Sequence, residues 1–329
     1  MHVVIGASGG VGRAVVAALE GRVRVRRAEP DDDLRAVMEG AEVVYLSVRL
    51  RDPLARLPRD RWARQPHPYL RHVVDHARAA GVRRLAYLST TYVLGFQEGR
   101  ISERTIPRPR HPYERLAAED ERWLRERERP DTVTVRPPQV VAPGEPVLTC
   151  LTRQLAGHRL LLPGGGREPH AFVTAADLGA ALAAAGVRGA PGLAYLVAGF
   201  RTTWRNLVLT LAKELGLPPR VGWLSYDLTR LAAWLQRLRP PAGQECWSTP
   251  FMADLFGRPH LVADGWSRRE LGWAPVATTL EAAVPELVRA ARFALSLEGA
   301  AAARPAPAAS SRLGRPRPSA ADQGGGRLR

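Results

Sequence analysis

Residues 1–21 read MHVVIGASGGVGRAVVAALEG. A short apolar run, His2 to Ile5, gives way to a glycine cluster and then to an amphipathic stretch from Gly12 to Leu19. That order predicts a strand, a tight turn and a helix. The turn, Gly6-Ala7-Ser8-Gly9-Gly10-Val11-Gly12, is a GxxGxxG pattern. Residues without bulk let the backbone approach a pyrophosphate, and the helix N-terminus adds N–H donors and the positive end of a dipole. Gly6, Ser8, Gly9, Gly10, Val11 and Gly12 are therefore the candidate phosphate cradle, with Arg13 just beyond it.

Further along, strand-like and helix-like patterns alternate. Arg22 to Arg27 alternates valine with arginine, and Asp31 to Gly40 is helical in pattern, with Asp31 to Asp33 as acidic first-turn residues. Ala41 to Val48, Arg84 to Ser89 and Thr132 to Arg136 are strand-like, separated by helical patterns over Pro68 to Ala80 and Tyr113 to Arg129. Such alternation predicts an α/β fold of Rossmann type, a doubly wound parallel sheet covered on both faces. After residue 140 the rhythm changes. Helical patterns over 148–155, 175–185, 204–215, 228–238 and 280–297, with a short strand at Ala194 to Val197, predict a smaller mixed C-terminal substrate lobe. From Gly299 alanine, proline, serine, arginine and glycine dominate, a composition that cannot bury enough apolar surface to order itself. The expected division is a Rossmann-like domain over 1–140, shortened near its second strand, a lobe over 141–298 with some return to the main domain, and a tail over 299–329.

Hydrophobic residues make up 45% of the 329 and charged residues 24%, which excludes wholesale disorder. No run of about 18 uncharged apolar residues is present, so no membrane span is expected. The N-terminus lacks the basic and long apolar regions of a secretory leader, and a cytoplasmic protein is expected. The only cysteines, Cys150 and Cys246, cannot build a disulfide framework or a four-thiolate zinc site, and read as apolar fillers. His72 and His76 are four apart but lack a third ligand at a recognised spacing, so no metal is expected. The net charge is +16, and 47 of the 48 basic residues are arginine, the exception being Lys213. Arginine spread as general surface charge implies no specific nucleic-acid partner, although nonspecific polyanion binding at low salt follows from it.

The chain resembles the extended short-chain dehydrogenase/reductases, the group of NAD-dependent epimerases, dehydratases, 3β-hydroxysteroid dehydrogenases and dihydroflavonol reductases. The resemblance spans about residues 1 to 296 and rests on GASGGVG, EGAEVVYLS, HARAAGVRRLAYLSTTYVLG, HPYERLAAEDERWL, VTVRPPQVVAPG, HAFVTAADLGAAL and SRRELGWAP, in that order. It implies a catalytic Ser/Thr, Tyr and Lys. Tyr113 falls at the tyrosine that exchanges a proton with the substrate oxygen, and Thr90, with Ser89 beside it, at the hydroxyl that polarises that oxygen. Ser47 and Pro137 fall at cofactor-lining positions. A small-molecule substrate and a homodimer are also implied.

Several features depart from that pattern. The lysine that lowers the tyrosine pKa should stand four residues after Tyr113, where the chain has Ala117. A shifted alignment pairs His111 with the tyrosine and Arg115 with the lysine. About 30 residues separate Gly12 from the AEVVYLS strand, where relatives fit two strands and two helices. Arg22 to Asp32 best matches the third strand of that pattern, leaving the second missing or merged, with no acidic residue after Val25 assigned to the adenosine ribose. Arg13, Arg26 and Arg27 would instead meet a 2′-phosphate, which favours NADP over NAD. Proline and tyrosine at Pro66 and Tyr69 stand where relatives carry other residues. Gly164 to Gly166 reads as a turn and Asp177 as a helix cap. Trp223, Tyr226, Trp234, Trp247 and Trp266 divide between core and an apolar substrate pocket. Three readings follow: an NAD(P)-dependent oxidoreductase or epimerase-like enzyme on a small, partly apolar alcohol or ketone; a cofactor-independent cyclase, dehydratase or isomerase; and a non-catalytic nucleotide sensor or scaffold.

Overall fold

The computed structural model describes residues 1–48, 50, 67–158, 160–218, 220–235 and 249–302, with side chains omitted for 234–235 and 298–302. Pro66, Cys246, Trp247 and residues 303–329 lie outside them, as do the expectations placed on those positions. In chain order the elements of the first half are β1 (His2–Ile5), α1 (Gly10–Leu19), β2 (Val25–Ala28), α2 (Leu34–Met38), β3 (Val43–Leu46), α3 (Pro68–Ala79), β4 (Arg84–Leu88), β5 (Arg100–Ile101), α4 (Pro112–Arg125) and β6 (Asp131–Arg136). The second half contains β7 (Gln139–Val141), α5 (Pro146–Ala156), β8 (Leu161–Pro163), β9 (Pro169–Thr174), α6 (Ala175–Arg188), β10 (Ala194–Leu196), β11 (Phe200–Thr203) and α7 (Trp204–Glu214). It closes with β12 (Gly222–Leu224), α8 (Tyr226–Leu235), α9 (Pro250–Gly257), β13 (Leu261–Val262), α10 (Gly265–Leu271) and α11 (Leu280–Ala302).

The main sheet has six strands in the order β10-β6-β4-β3-β1-β2, all parallel. Its inner strands β1, β3 and β6 are nearly continuous runs of buried apolar or β-branched residues, as a sheet covered on both faces requires. Helices α1 and α6 cover one face, where Gly179 admits α1 so closely that a Cβ would lie 2.5 Å from Ala14. Helices α2 and α3 pack on the other, around Leu34, Met38, Leu70, Val73 and Val74. The chain leaves β1 for β2 on one side and then returns to β3 on the other. This reversal places a crevice beyond the carboxyl ends of β1 and β3, where ligands bind in open α/β sheets. The second lobe adds a three-stranded sheet, β11-β9-β7, and a core centred on Trp204, Phe172, Phe256 and Leu151.

Two expectations change. Strand β2 pairs directly with β1, His2 opposite Val25 and Ile5 opposite Ala28. It therefore occupies the second-strand position, and the sheet ends there among the described residues. What the short segment omits is the third strand, because a strand hydrogen-bonded to β1 is needed to hold the glycine turn while an outer edge strand is not. Second, α11 continues to Ala302, into the stretch assigned to the tail, since Ala300 to Ala302 has the highest helix propensity.

Candidate active site

The glycine turn begins with Gly6 at φ +80°, a conformation L side chains rarely adopt. At Gly12 a Cβ would sit 1.9 Å from the Gly6 carbonyl oxygen, and at Gly10 one would sit 2.9 Å from the Pro143 oxygen. The turn is thus built for a bare backbone. No side chain caps α1 at Gly9, and Ser8, Gly9, Gly10 and Val11 line a cleft of about 390 Å³. The first-turn N–H groups of α1 are therefore available to an anion at that end.

The Ser8 peptide is held at both ends. Its N–H donates to Glu29 Oε1 at 2.7 Å, and its carbonyl accepts from Arg13. Glu29 follows the last residue of β2, and its own N–H donates to Asp32 Oδ2 at 2.8 Å. The carboxylate at the β2 tip is the acidic residue the sequence reading left unassigned. Its signal is an acid about 20 residues past the glycine turn, and it counts only because β2 takes β1 as its neighbour. Nearby, the Tyr69 hydroxyl is pushed up to about 12 by burial and by Asp32, Asp31 and Glu29.

Of the three arginines expected near a 2′-phosphate, only Arg13 lines the cleft. Arg26 Nη1 donates to the carbonyls of Ala36 (2.9 Å), Val37 (2.8 Å) and Glu39 (3.3 Å), closing the C-terminal end of α2. Arg27 pairs with Glu20 at 2.6 Å on the surface. Ser47 lines the cleft while its hydroxyl donates to the Ile5 carbonyl at 2.7 Å, and Pro137 also lines it.

At the far end, Ser89, Thr90, Tyr113 and Ala117 line the same cleft. Thr90 begins a single 3₁₀ turn over Thr91–Leu94, and its Oγ1 accepts from Tyr92 N at 3.3 Å. Behind it, Thr91 Oγ1 meets His260 Nε2 at 2.8 Å and Tyr92 OH meets His170 Nε2 at 3.1 Å. Burial drives both histidines down, His260 to about 3 and His170 well below its ordinary value with His260 adding to the effect, so both are neutral near pH 7. Tyr113 packs against Phe251, with ring centroids 4.9 Å apart. The Ser89 hydroxyl donates to Glu121, whose carboxylate also accepts from Arg136 Nε (3.0 and 3.1 Å) and Nη2. Glu121 and Arg136 are both buried, and nothing in the motif reading singled them out.

His111 and Arg115 do not enter the cleft. His111 is the N-cap of α4, and its Nε2 donates to Asp254 Oδ2 at 2.9 Å, tying α4 to α9. Burial raises the Asp254 carboxyl, but hydrogen bonds from His111 and Tyr226 outweigh it and hold the group below its ordinary value. Arg115 lies on a separate outer groove. The register that puts Tyr113 and Ala117 at the site is therefore the one the fold adopts, and the position expected to hold lysine carries no charge.

Gly164 to Gly166 forms a turn with all three φ angles positive. Thr174 caps α6, and Asp177 accepts from Thr174 and from Val276 N and Ala277 N at 2.6 and 3.0 Å. Cys150 packs against the core of the second lobe. Trp223 is 71% exposed, Tyr226 bonds Asp254, and Trp266 stacks on Tyr195. The aromatic residues that reach the cleft are instead Tyr87, Tyr92, Tyr113, Phe251 and Phe293. Among the described residues no group of three metal-ligating side chains occurs, and no helix is long and apolar enough to cross a membrane.

The profile of the NAD dependent epimerase/dehydratase family matches residues 2–198. The chain belongs to that family. No curated protein matches it. Among solved structures, UDP-glucuronic acid 4-epimerase from Bacillus cereus in complex with NAD superposes with a TM-score of 0.67 at 15% identity, over 90% of this chain and 99% of that one. UDP-glucose 4-epimerase from Thermotoga maritima gives 0.65 at 18%, over 90% and 100%. RMD from Pseudomonas aeruginosa, complexed with NADPH, gives 0.62 at 18%, over 88% and 99%. At these identities the likeness establishes the fold.

Proposed function

We propose that this family member is an NAD-dependent oxidoreductase or epimerase-like enzyme acting on a small, partly apolar alcohol or ketone. One observation carries the reading: the cleft of about 390 Å³ joins the glycine cradle at one end to Thr90 and Tyr113 at the other. The donor set fits a dinucleotide. Bare backbone and the α1 N-terminus suit the pyrophosphate, and the Glu29 carboxylate at the β2 tip suits the hydroxyls of the adenosine ribose. A carboxylate there repels a 2′-phosphate, and Arg26 and Arg27 are engaged elsewhere, so NAD is preferred to NADP. Bound in the cleft, the nicotinamide would accept or return a hydride.

The chain's own residues supply the proton chemistry. Thr90 accepts from Tyr92 N with one of its two lone pairs and keeps its proton for a substrate oxygen. Tyr113 exchanges a proton with that oxygen. Ala117 brings no charge beside Tyr113, where the family resemblance implies a lysine. Phe251, packed against Tyr113, and Val147 of the same apolar cluster give this end an apolar wall suited to a partly apolar substrate. Ala117 is also the observation that favours a second reading, cofactor-independent proton transfer on the same fold.

Calorimetry of the purified chain against NAD, NADH, NADP and NADPH separates these. Micromolar binding of NAD or NADH, with the phosphorylated pair weaker, is expected. Turnover of a substrate panel with no nucleotide present would favour the second reading. Tyr113→Phe should keep NADH binding within about twofold and lose at least 100-fold in turnover, within the range for a positioned acid/base group; full activity would remove Tyr113 from the mechanism.

A further inference from the structure

We infer that Ser89, oriented by Glu121 and Arg136, replaces the missing lysine as the anchor of the nicotinamide-side ribose. This rests on the cofactor reading above. Tyr113, Ala117 and Glu121 are spaced four apart and share one face of α4. Tyr113 and Ala117 reach the cleft, and Ala117 removes the only side chain that could carry charge into it at that turn. One turn further, Glu121 is buried and accepts a hydrogen bond from the hydroxyl of Ser89, just after β4.

That hydrogen bond settles the polarity of Ser89. A serine hydroxyl has one proton and two lone pairs. With the hydroxyl proton directed at Glu121, only lone pairs remain for a ligand in the cleft. Ser89 cannot polarise a substrate carbonyl, because that requires a donor; Thr90 keeps that part. It can accept from a hydroxyl, and a ribose diol supplies one. The lysine implied by the family resemblance would be a donor toward the same diol, so the chain has inverted the hydrogen bond rather than lost it.

Arg136 makes the arrangement durable. Its Nε reaches both Glu121 oxygens, and it ends β6 immediately before Pro137, which also lines the cleft. A buried carboxylate without such a partner would be strongly destabilised. Ser89 is thus a binding residue, and Glu121 and Arg136 are positioning residues that fix the direction of its proton.

The test compares NADH with ADP, which lacks the nicotinamide ribose, by titration calorimetry. Ser89→Ala should weaken NADH about five- to tenfold, the effect of one hydrogen bond, and leave ADP within twofold. Ser89→Ala combined with Ala117→Lys should regain NADH affinity, because the ammonium restores a partner for the diol. Glu121→Gln can present an amide N–H to Ser89 and release its proton toward the cleft; because the diol can accept as well as donate, NADH affinity should fall less than in Ser89→Ala, with ADP within twofold. If Ser89→Ala weakens NADH and ADP equally, its role is structural and the inference fails; unchanged NADH affinity also overturns it. A wild-type chain that binds neither nucleotide, or ADP alone, overturns the cofactor reading and this inference with it.

Discussion

Gly12 shows how far one residue can be read from each source. Its place in a GxxGxxG turn is plain in the sequence, yet the reason no other residue fits is tertiary: an added Cβ would lie 1.9 Å from the Gly6 carbonyl oxygen. Backbone must then move, so Gly12→Ala should lower stability by about 1–3 kcal/mol and abolish NADH binding, checked by urea unfolding and calorimetry. A fully stable, NADH-binding variant would mean that the turn has slack. Tyr113 and Thr90 were legible by motif. Ser89 reads in sequence as a second hydroxyl beside Thr90 that polarises the substrate oxygen, because the direction of its proton depends on Glu121, 32 positions away. Arg26 and Arg27 mislead in sequence because charge carries no information about direction. One caps a helix and the other sits in a surface pair.

At the scale of elements, local signals did well. Thr174, Thr203 and Thr249 cap α6, α7 and α9, and proline opens α3, α4, α5 and α9. Asp177 is not the cap of α6, which is Thr174; it lies in the first turn and accepts from the Thr174 hydroxyl. It also receives the N–H groups of Val276 and Ala277, which join the segment before α11 to the start of α6. Asp177→Ala should therefore cost more than an ordinary capping loss of about 1 kcal/mol, about 2 kcal/mol, since the buried Ala277 N–H and the part-buried Val276 N–H both lose their acceptor. Chemical denaturation measures this; a loss below 1 kcal/mol would show that the junction rearranges freely. The misplaced element was β2. The alternation of Val23 and Val25 with arginine announces a strand, but nothing in a four-residue strand says which neighbour it takes.

For the whole molecule, the two halves meet at a buried polar seam. Thr91 and Tyr92, from the turn after β4, bond His260 and His170 of the second lobe, with Phe96, Phe251 and Trp204 packed around them. Both histidine pKa values are lowered in the fold, His260 from 6.5 to about 3. Between those values the unfolded chain binds the extra proton, so stability is full above pH 6.5 and falls as pH drops toward 3. The slope is at most about 1.4 kcal/mol per pH unit for each histidine. Urea unfolding at pH 7, 6 and 5 should show this fall, and His260→Gln should flatten it; a slope unaffected by the substitution would place the pH dependence elsewhere. The sequence by itself determined the alternation of strands and helices, the glycine turn, the tyrosine and threonine of the cleft and the absence of lysine beside them. These are set by spacing along the chain and by residue type. Only the tertiary structure decided that β2 lies against β1, that Glu29 meets Ser8, that two arginines face away, and that Ser89 directs its hydroxyl proton at Glu121. Strand neighbours and hydrogen-bond partners are chosen by contacts between distant segments, and no local pattern records them.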